Sequence, residues 1–231
     1  METISDRRLF AFGISSFAIF LIITIFVFSN MTQRFDSQLA LTIYNANFGN
    51  VFTAIAISAS EYGREFFWIP VVAIMLVFGK RNTKILAIEL AVLFLVGIIA
   101  GVALKNAVYR PRPFITVPGI SARIPADSDS SFPSGHALIV SIGAVFALTK
   151  FKSGKARLVA LLLAAEAAMV CYSRIYLGAH YPLDVLAAFF LATSIVFLGL
   201  PVLEKRLSKL IRRADLFAEA ILRALHIPEI L

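Results

Sequence analysis

Long apolar stretches separated by short polar connections run along almost the whole chain. A helix needs about twenty apolar residues to cross the hydrocarbon core of a bilayer. Six stretches approach that length, at residues 9–29, 65–79, 85–104, 136–149, 158–173 and 185–203. The pattern therefore predicts an all-α, polytopic membrane protein with six transmembrane helices.

The remaining segments indicate how the chain is organised around these spans. Residues 51–60 are moderately apolar but too short to cross, so we expect an external helix near the membrane surface. After residue 204 a basic start is followed by apolar residues at helical spacing, which is typical equally of an amphipathic helix on the inner leaflet and of a plain basic flank. No linker rich in Pro, Gly or Ser divides the chain, and we expect one membrane-embedded domain over residues 1–231, with its tail at 204–231.

Composition excludes several classes of protein. Hydrophobic residues make up 59% of the chain and charged residues 16%, which leaves too little polar surface for an ordinary soluble globule. The net charge of +8 is more typical of the cytoplasmic flanks of membrane spans than of nucleic-acid binding in so apolar a chain. The single cysteine, Cys171, excludes an intramolecular disulfide and a Cys-rich zinc site.

The distribution of Lys and Arg predicts the orientation. Six crossings place both termini on one side, together with connections 80–84 and 150–157, and that side carries roughly two thirds of the 22 Lys and Arg residues. Both termini are therefore predicted to be cytoplasmic. Segments 105–135 and 174–184 then face the outside of the cell membrane.

Four helix ends converge on that outer face, and they carry chemically capable residues. Lys105, Arg112 and Arg174 are cations on the side where the chain is poor in positive charge, so we expect an anion to compensate them. Phosphate suits guanidinium and ammonium groups. Ser134 and Gly135 precede the fourth span, where a hydroxyl and free helix amides favour an anion.

Two histidines beside this cationic cluster predict catalysis. His180 and Asp184 are four residues apart, a spacing that lets the carboxylate hold one ring nitrogen and direct the other outward. We assign His180 as a nucleophile towards phosphorus and His136 as the acid and base. The fixed cations stabilise the transferring group, so no metal and no other cofactor is predicted.

Several other ionisable or aromatic residues stand out in the sequence, and for most of them a structural interpretation is preferred to a catalytic one. Asp127 and Asp129 are read as a solvated turn rather than a metal site. Glu89, near the inner end of its span, is expected to reach water or Lys84, and Glu166 is expected to be structural. Tyr109 and Arg110 are interpreted either as contacts to a substrate headgroup or as spacing residues. His226, in the tail, is expected to be a surface residue.

The three segments resemble the type 2 phosphatidic acid phosphatase and vanadium haloperoxidase superfamily, in its integral-membrane lipid phosphatase branch. The pattern Lys-x6-Arg-Pro, Pro-Ser-Gly-His and Ser-Arg-x5-His-x3-Asp is met in full within residues 105–184. Its fixed positions are Lys105, Arg112, Pro113, Pro133, Ser134, Gly135, His136, Ser173, Arg174, His180 and Asp184. The resemblance implies that Lys105, Arg112, Ser134, Gly135 and Arg174 bind phosphate. It also implies that His136 is the acid and base, and that His180 is the nucleophile with Asp184 behind it.

The resemblance narrows the substrate to a membrane lipid phosphate. The family includes phosphatases for phosphatidylglycerol phosphate, phosphatidate and polyprenyl diphosphates, and an external site favours polyprenyl (undecaprenyl-type) diphosphate. The fourth span starts at a catalytic histidine and is about 21 Å long at helical rise, so the site should lie near the outer headgroups. A lipid would enter sideways from the bilayer, and no nucleic acid or obligate protein partner is predicted. The alternative is a membrane anion or lipid transporter that uses the same cations.

The predicted orientation is testable with a single cysteine. Ser128 lies in the external segment 105–135, so Ser128→Cys in a Cys171→Ala background should react with an impermeant maleimide added from outside intact cells. A cysteine at Lys152, in a cytoplasmic connection, should react only after the membrane is opened. The reverse pattern would invert the topology.

Overall fold

A computed structural model of the chain describes residues 6–125 and 127–224, and all the regular secondary structure within them is helical. The nine helices of this described part are α1 (Asp6–Phe28), α2 (Gln33–Tyr44), α3 (Gly49–Tyr62), α4 (Glu65–Phe78), α5 (Arg81–Ala107), α6 (Pro113–Thr116), α7 (Gly135–Lys150), α8 (Gly154–Tyr176) and α9 (Pro182–Ala224). The predicted all-α fold class is confirmed. Each of the six predicted spans coincides with one of these helices.

Four of these helices are long and apolar enough to cross a bilayer, namely α1, α5, α8 and the first 30 residues of α9. Helices α4 and α7 are apolar but only 14 and 16 residues long. Both were expected to be short, and at 1.5 Å per residue they span about 21–24 Å. The count of six crossings stays a prediction, because it depends on how these two short helices sit in the membrane.

Helix α7 forms the centre of the bundle and packs against α5, α8 and α9. Most of its residues are buried on every face, from Ala137 and Leu138 through Phe146 and Ala147. Such a helix is apolar all round because it has no solvent or lipid face. Gly143 makes room for the Trp68 ring of α4, which a side chain at this position would overlap. The start of α7 is therefore held rigidly at one end of the bundle.

The segment between α1 and α4 contains two helices, where one was predicted. Helix α3 covers the expected 51–60 stretch and packs on α8, with the Phe52 and Tyr176 rings 5.5 Å apart. Helix α2 was missed because it is only 12 residues long, half of these residues are polar, and it buries a carboxylate, Asp36. Short amphipathic helices carry little of the long apolar signal on which spans are recognised.

Two features mark the other end of the bundle. Glu89 is buried and its Oε2 lies 2.7 Å from Lys150 Nζ, so its partner is Lys150 and not Lys84 as expected. Lys150 also pairs with Glu204 at 2.7 Å. Helix α9 continues through Pro201 and past Glu204 to Ala224, while His226 and residues 225–231 lie outside the described residues. The position of the tail on the inner leaflet stays a prediction.

Candidate active site

The structure brings the three motif segments to one end of the bundle, around a cavity of about 740 Å³. Lys105 comes from the last turn of α5, Arg112 from the segment before α6, and Arg174 from the last turn of α8. The cavity is lined at this end by Lys105, Arg112, Gly135, His136, His180 and Arg64. Residues far apart in sequence therefore meet where the pattern of helix ends predicts.

The cationic cluster is occupied by two carboxylates of the chain itself. Lys105 Nζ lies 2.6 Å from Asp129 Oδ2, and Arg112 binds Asp129 Oδ1 as well. Asp127 Oδ2 lies 3.2 Å from Arg112 and 3.6 Å from Arg174. The interpretation of Asp127 and Asp129 as a solvated turn was wrong, since both acids pair with the three predicted phosphate-binding cations while their side chains stay about half exposed.

The chemistry of Asp129 fits an anion held between cations. Burial acts to raise the pKa of its carboxyl group, but hydrogen bonds and charge from Lys105 and Arg112 outweigh it and lower the pKa to about 2. Asp129 is therefore negatively charged at neutral pH. The cluster binds carboxylate oxygens in the way it would bind phosphate oxygens, with an ammonium group and a guanidinium group on the same anion.

His180 is fully buried, and its two ring nitrogens have different partners. Nδ1 lies 2.8 Å from the carbonyl oxygen of Ser131, which can only accept, so Nδ1 carries the proton. Nε2 lies 3.4 Å from Arg112 Nη1, which can only donate, so Nε2 presents its lone pair at the cavity. Burial lowers the pKa of His180 to about 4, so the ring is neutral at pH 7. A neutral imidazole with an unprotonated nitrogen facing the cavity is the form that attacks phosphorus.

Asp184 supports His180 less directly than its spacing predicts. Its Oδ2 lies 3.6 Å from His180 Nδ1, farther than the Ser131 carbonyl, and accepts hydrogen bonds from the Ser131 hydroxyl and from the Tyr181 amide at 2.9 Å. The carboxylate thus fixes the two segments on either side of the ring. Orientation of the ring comes from the Ser131 carbonyl, a backbone group that no residue pattern identifies.

Arg110 was the residue most clearly misread from the sequence. Its guanidinium is buried and bridges Asp184 at 2.6 Å and Asp36 of α2 at 2.7 Å, and it stacks 3.8 Å above the Tyr181 ring. It is therefore neither a headgroup contact nor a spacing residue. Tyr109, its neighbour, is 75% exposed. Two carboxylates in one buried cluster require a cation between them, and that cation is Arg110.

His136 and Ser134 occupy the start of α7. His136 lines the cavity, and its Nδ1 accepts from Arg64 Nη1 at 3.4 Å, so in the neutral ring the proton is on Nε2. Ser134 is the N-cap, with its hydroxyl 3.5 Å from the Ala137 amide and its own amide bonded to the Asp184 carbonyl oxygen. Arg64, which precedes α4, was not singled out by the sequence, although it is a cation next to a predicted span and on its predicted outer side.

The rest of the cavity is apolar and runs between α4 and α5. Its wall is formed by Trp68, Ile69, Val72, Leu76, Phe94, Ile98 and Val102. Several of these side chains, such as Ile69 and Val102, are more than half exposed, which is usual for residues that face lipid. Glu166 lies outside this lining, beside Gly63. Among the described residues no group of three or more His, Cys, Asp or Glu side chains is arranged to hold a metal ion.

Comparison with known proteins gives consistent matches. The model of the PAP2 superfamily matches residues 86–208. An undecaprenyl-diphosphatase of Sulfolobus acidocaldarius is 43% identical over 143 residues, which cover 62% of this chain and 66% of that protein, slightly under two thirds of its length. Phosphatidylglycerophosphatase B of Bacillus subtilis is 28% identical over 80% of this chain and 91% of its own length. The crystal structure of a transmembrane PAP2 type phosphatidylglycerolphosphate phosphatase from Bacillus subtilis superposes with a TM-score of 0.71 at 25% identity, covering 84% of this chain and 96% of that one.

The bridge made by Arg110 leads to a stability prediction. Arg110→Gln leaves Asp36 and Asp184 buried without a cation, so the free energy of unfolding should fall by about 3–5 kcal/mol. Thermal unfolding of the purified protein in detergent measures this loss. Arg34→Gln, which removes an exposed arginine from the same region, should cost less than about 0.5 kcal/mol. Adding Asp36→Asn to Arg110→Gln should recover part of the loss, and a further loss there would contradict the bridging role.

Proposed function

The chain belongs to the PAP2 superfamily, and we therefore propose that it is an integral-membrane lipid phosphatase, a hydrolase of phosphoric esters or anhydrides. Polyprenyl (undecaprenyl-type) diphosphate is the leading candidate substrate. Phosphatidylglycerol phosphate and phosphatidate are the other candidates. The observation that carries the proposal is the cavity, which has two histidines and a cationic cluster at one end and an apolar wall at the other. A lipid phosphate matches this cavity, because it has an anionic headgroup for the cationic end and an apolar chain for the apolar wall.

The similar proteins support this assignment. The relative with 43% identity is named for hydrolysis of undecaprenyl diphosphate, and the Bacillus subtilis relative for phosphatidylglycerophosphate. Both names describe removal of phosphate from a lipid. Anion or lipid transport, the alternative, gives no role to a buried histidine whose lone pair is fixed towards the cationic cluster.

The two histidine rings have different roles in the first chemical step. His180 Nε2 attacks the terminal phosphorus, a P–N bond forms, and the bond to the leaving oxygen breaks with its electron pair on that oxygen. His136, in its doubly protonated form, delivers a proton to the leaving oxygen and becomes neutral. In the second step His136 takes a proton from water, and the resulting hydroxide displaces His180 from phosphorus. Inorganic phosphate and the free enzyme are the products.

The charge of the transferring phosphoryl group is stabilised by the chain itself. Lys105, Arg112 and Arg174 supply positive charge from three directions, and the free amides at the start of α7 add partial positive charge near Gly135. Magnesium supplies this charge in many other phosphoryl-transfer sites. We propose that this site works without a metal, and that incoming phosphate takes the place of Asp129 on Lys105 and Arg112.

The membrane setting completes the proposal. We place the active site at the outer face of the cell membrane, with both termini in the cytoplasm and the lipid bilayer as the only required partner. The apolar wall between α4 and α5 then receives the lipid chain laterally while the phosphate reaches the cluster.

A phosphohistidine intermediate is the sharpest test of the chemistry. Enzyme mixed with substrate labelled with radioactive phosphorus in its terminal phosphate, in EDTA, should carry an acid-labile, alkali-stable label after rapid quenching. His180→Asn should carry none and should release no phosphate, because it lacks the attacking nitrogen. Detection of full activity in His180→Asn would rule out this nucleophile, and an absolute need for magnesium would rule out a site built from protein cations alone.

The carboxylate in the cationic cluster gives a second test. Asp129→Asn removes the anion that phosphate has to displace, so vanadate and inorganic phosphate should inhibit about 10-fold more strongly, the change expected for one hydrogen bond to a charged group. Glu61→Gln is the matched control, since Glu61 is exposed and outside the cavity. Weaker inhibition in Asp129→Asn would show that this carboxylate supports anion binding instead of competing with it.

A further inference from the structure

Arg64 is a cation in the cavity that belongs to none of the three motifs. We propose that it forms a second phosphate subsite, which holds the lipid-proximal phosphate of a lipid diphosphate and so favours diphosphates over monophosphates. This inference rests on the proposed phosphatase function, because it concerns the leaving group of that reaction. Three features of Arg64 carry it: its place relative to the two histidines, its incomplete set of partners, and its place relative to the apolar wall.

The two guanidinium groups in the cavity lie beside different rings. Arg112 Nη1 is 3.4 Å from His180 Nε2, the attacking nitrogen, whereas Arg64 Nη1 is 3.4 Å from His136 Nδ1. In an in-line displacement the nucleophile and the leaving oxygen are on opposite sides of phosphorus. His136 protonates the leaving oxygen, so the leaving group lies on the side of His136 and Arg64. The motif cations surround the transferred phosphate instead.

Arg64 has unused hydrogen-bonding capacity. Its ion pair is with Glu65, the next residue, whose side chain is about half exposed, so this contact is a weak surface pair. Its Nε is buried and has no hydrogen-bond partner among the described residues. Guanidinium Nε and Nη groups bind two oxygens of one phosphate side by side. An incoming phosphate would therefore satisfy a donor that the folded chain leaves unpaired.

The position of Arg64 also matches the order of groups in a prenyl diphosphate. Arg64 immediately precedes α4, and Trp68, Ile69 and Val72 of the same helix begin the apolar wall. Arg64 thus adjoins His136 on one side and the start of the apolar wall on the other, so in the proposed binding mode the terminal phosphate lies at the cationic cluster, the second phosphate at Arg64 and the hydrocarbon on the wall. A prenyl diphosphate presents its terminal phosphate, its second phosphate and its hydrocarbon in the same order.

The charge of the leaving group explains how this subsite discriminates. Cleavage of a lipid diphosphate releases a lipid monophosphate, an anion that a nearby cation stabilises both in the bound substrate and as it departs. Cleavage of phosphatidate releases an uncharged diacylglycerol hydroxyl once the proton has arrived. Arg64 contributes to the first reaction and has no phosphate to bind in the second.

The test compares Arg64→Gln with wild type on two lipids. The kcat/KM for a polyprenyl diphosphate should fall about 10- to 100-fold, the cost of one hydrogen bond to a charged group, whereas kcat/KM for phosphatidate should change less than about threefold. Arg64→Lys keeps the charge without the planar fork, so its loss on the diphosphate should be intermediate. Arg34→Gln, an exposed arginine outside the cavity, should leave both values unchanged.

Inhibition constants provide a readout that needs no turnover of the monophosphate. In Arg64→Gln, inorganic pyrophosphate should inhibit at least about 10-fold more weakly, while inhibition by inorganic phosphate should stay within about twofold. Equal losses with both substrates and both inhibitors would overturn the subsite and make Arg64 a positioning residue for His136. Unchanged values for the diphosphate and for pyrophosphate would overturn it as well.

Two controls separate the possible failures. Size-exclusion profiles and thermal unfolding identify a variant that does not fold, and if Arg64→Gln fails then Arg64→Lys decides by the same comparison. If wild-type protein releases phosphate from none of the lipids, the proposed function is wrong. If wild type is active but Arg64 variants lose both substrates equally, only the second subsite is wrong.

Discussion

Buried positive charge requires a matching negative charge, and this requirement organises the end of the bundle that holds the candidate site. The side chains of Arg110, Arg112 and Arg174 are almost completely buried, where an uncompensated guanidinium would cost several kcal/mol. Arg110 is matched by Asp36 and Asp184, which joins α2, the segment before α6 and the start of α9. Arg112 and Arg174 are matched by acids on a half-exposed loop. Within the proposed function, the first set is permanent structure, and the second is exchanged for the phosphate of the substrate.

The two sets of ion pairs have different roles around His180. The permanent pairs fix Asp184, Ser131 and Tyr181 around the ring, so its lone pair points in one direction before substrate arrives. The exchangeable pairs lie on the side where that lone pair points. Catalytic groups gain most when they are oriented in advance, since no reorganisation is then needed as charge develops. The proposed reaction follows from that division.

The sequence predicted well what depends on long or fixed patterns. The apolar stretches located α1, α4, α5, α7, α8 and α9, because helices that face lipid or are buried contain few polar residues and so form long apolar runs in the sequence. Motif spacing and helix parity also located Lys105, Arg112, Gly135, His136 and His180, which line the cationic end of the cavity.

What escaped prediction depends on tertiary contacts. Arg110 is one of several external cations in the sequence, and only the fold shows that it lies between two buried acids while Arg64 faces the cavity. Asp127 and Asp129 have the local composition of a turn, and their pairing arises because α5 and α8 end beside that loop. Helix α2 was missed for a related reason, since it is short and its buried side chains include the ion-paired Asp36 as well as Ala40 and Tyr44.

The acids of this loop also affect how a reaction cycle ends. Asp127 and Asp129 are joined to the enzyme by a few residues of backbone, so their local concentration at the cationic cluster far exceeds that of any dissolved anion. Within the proposed function, this built-in competitor rebinds Lys105 and Arg112 as cleaved phosphate leaves. Such a competitor hastens release of product and keeps sulfate, phosphate and other small anions of the surroundings from blocking the enzyme between turnovers.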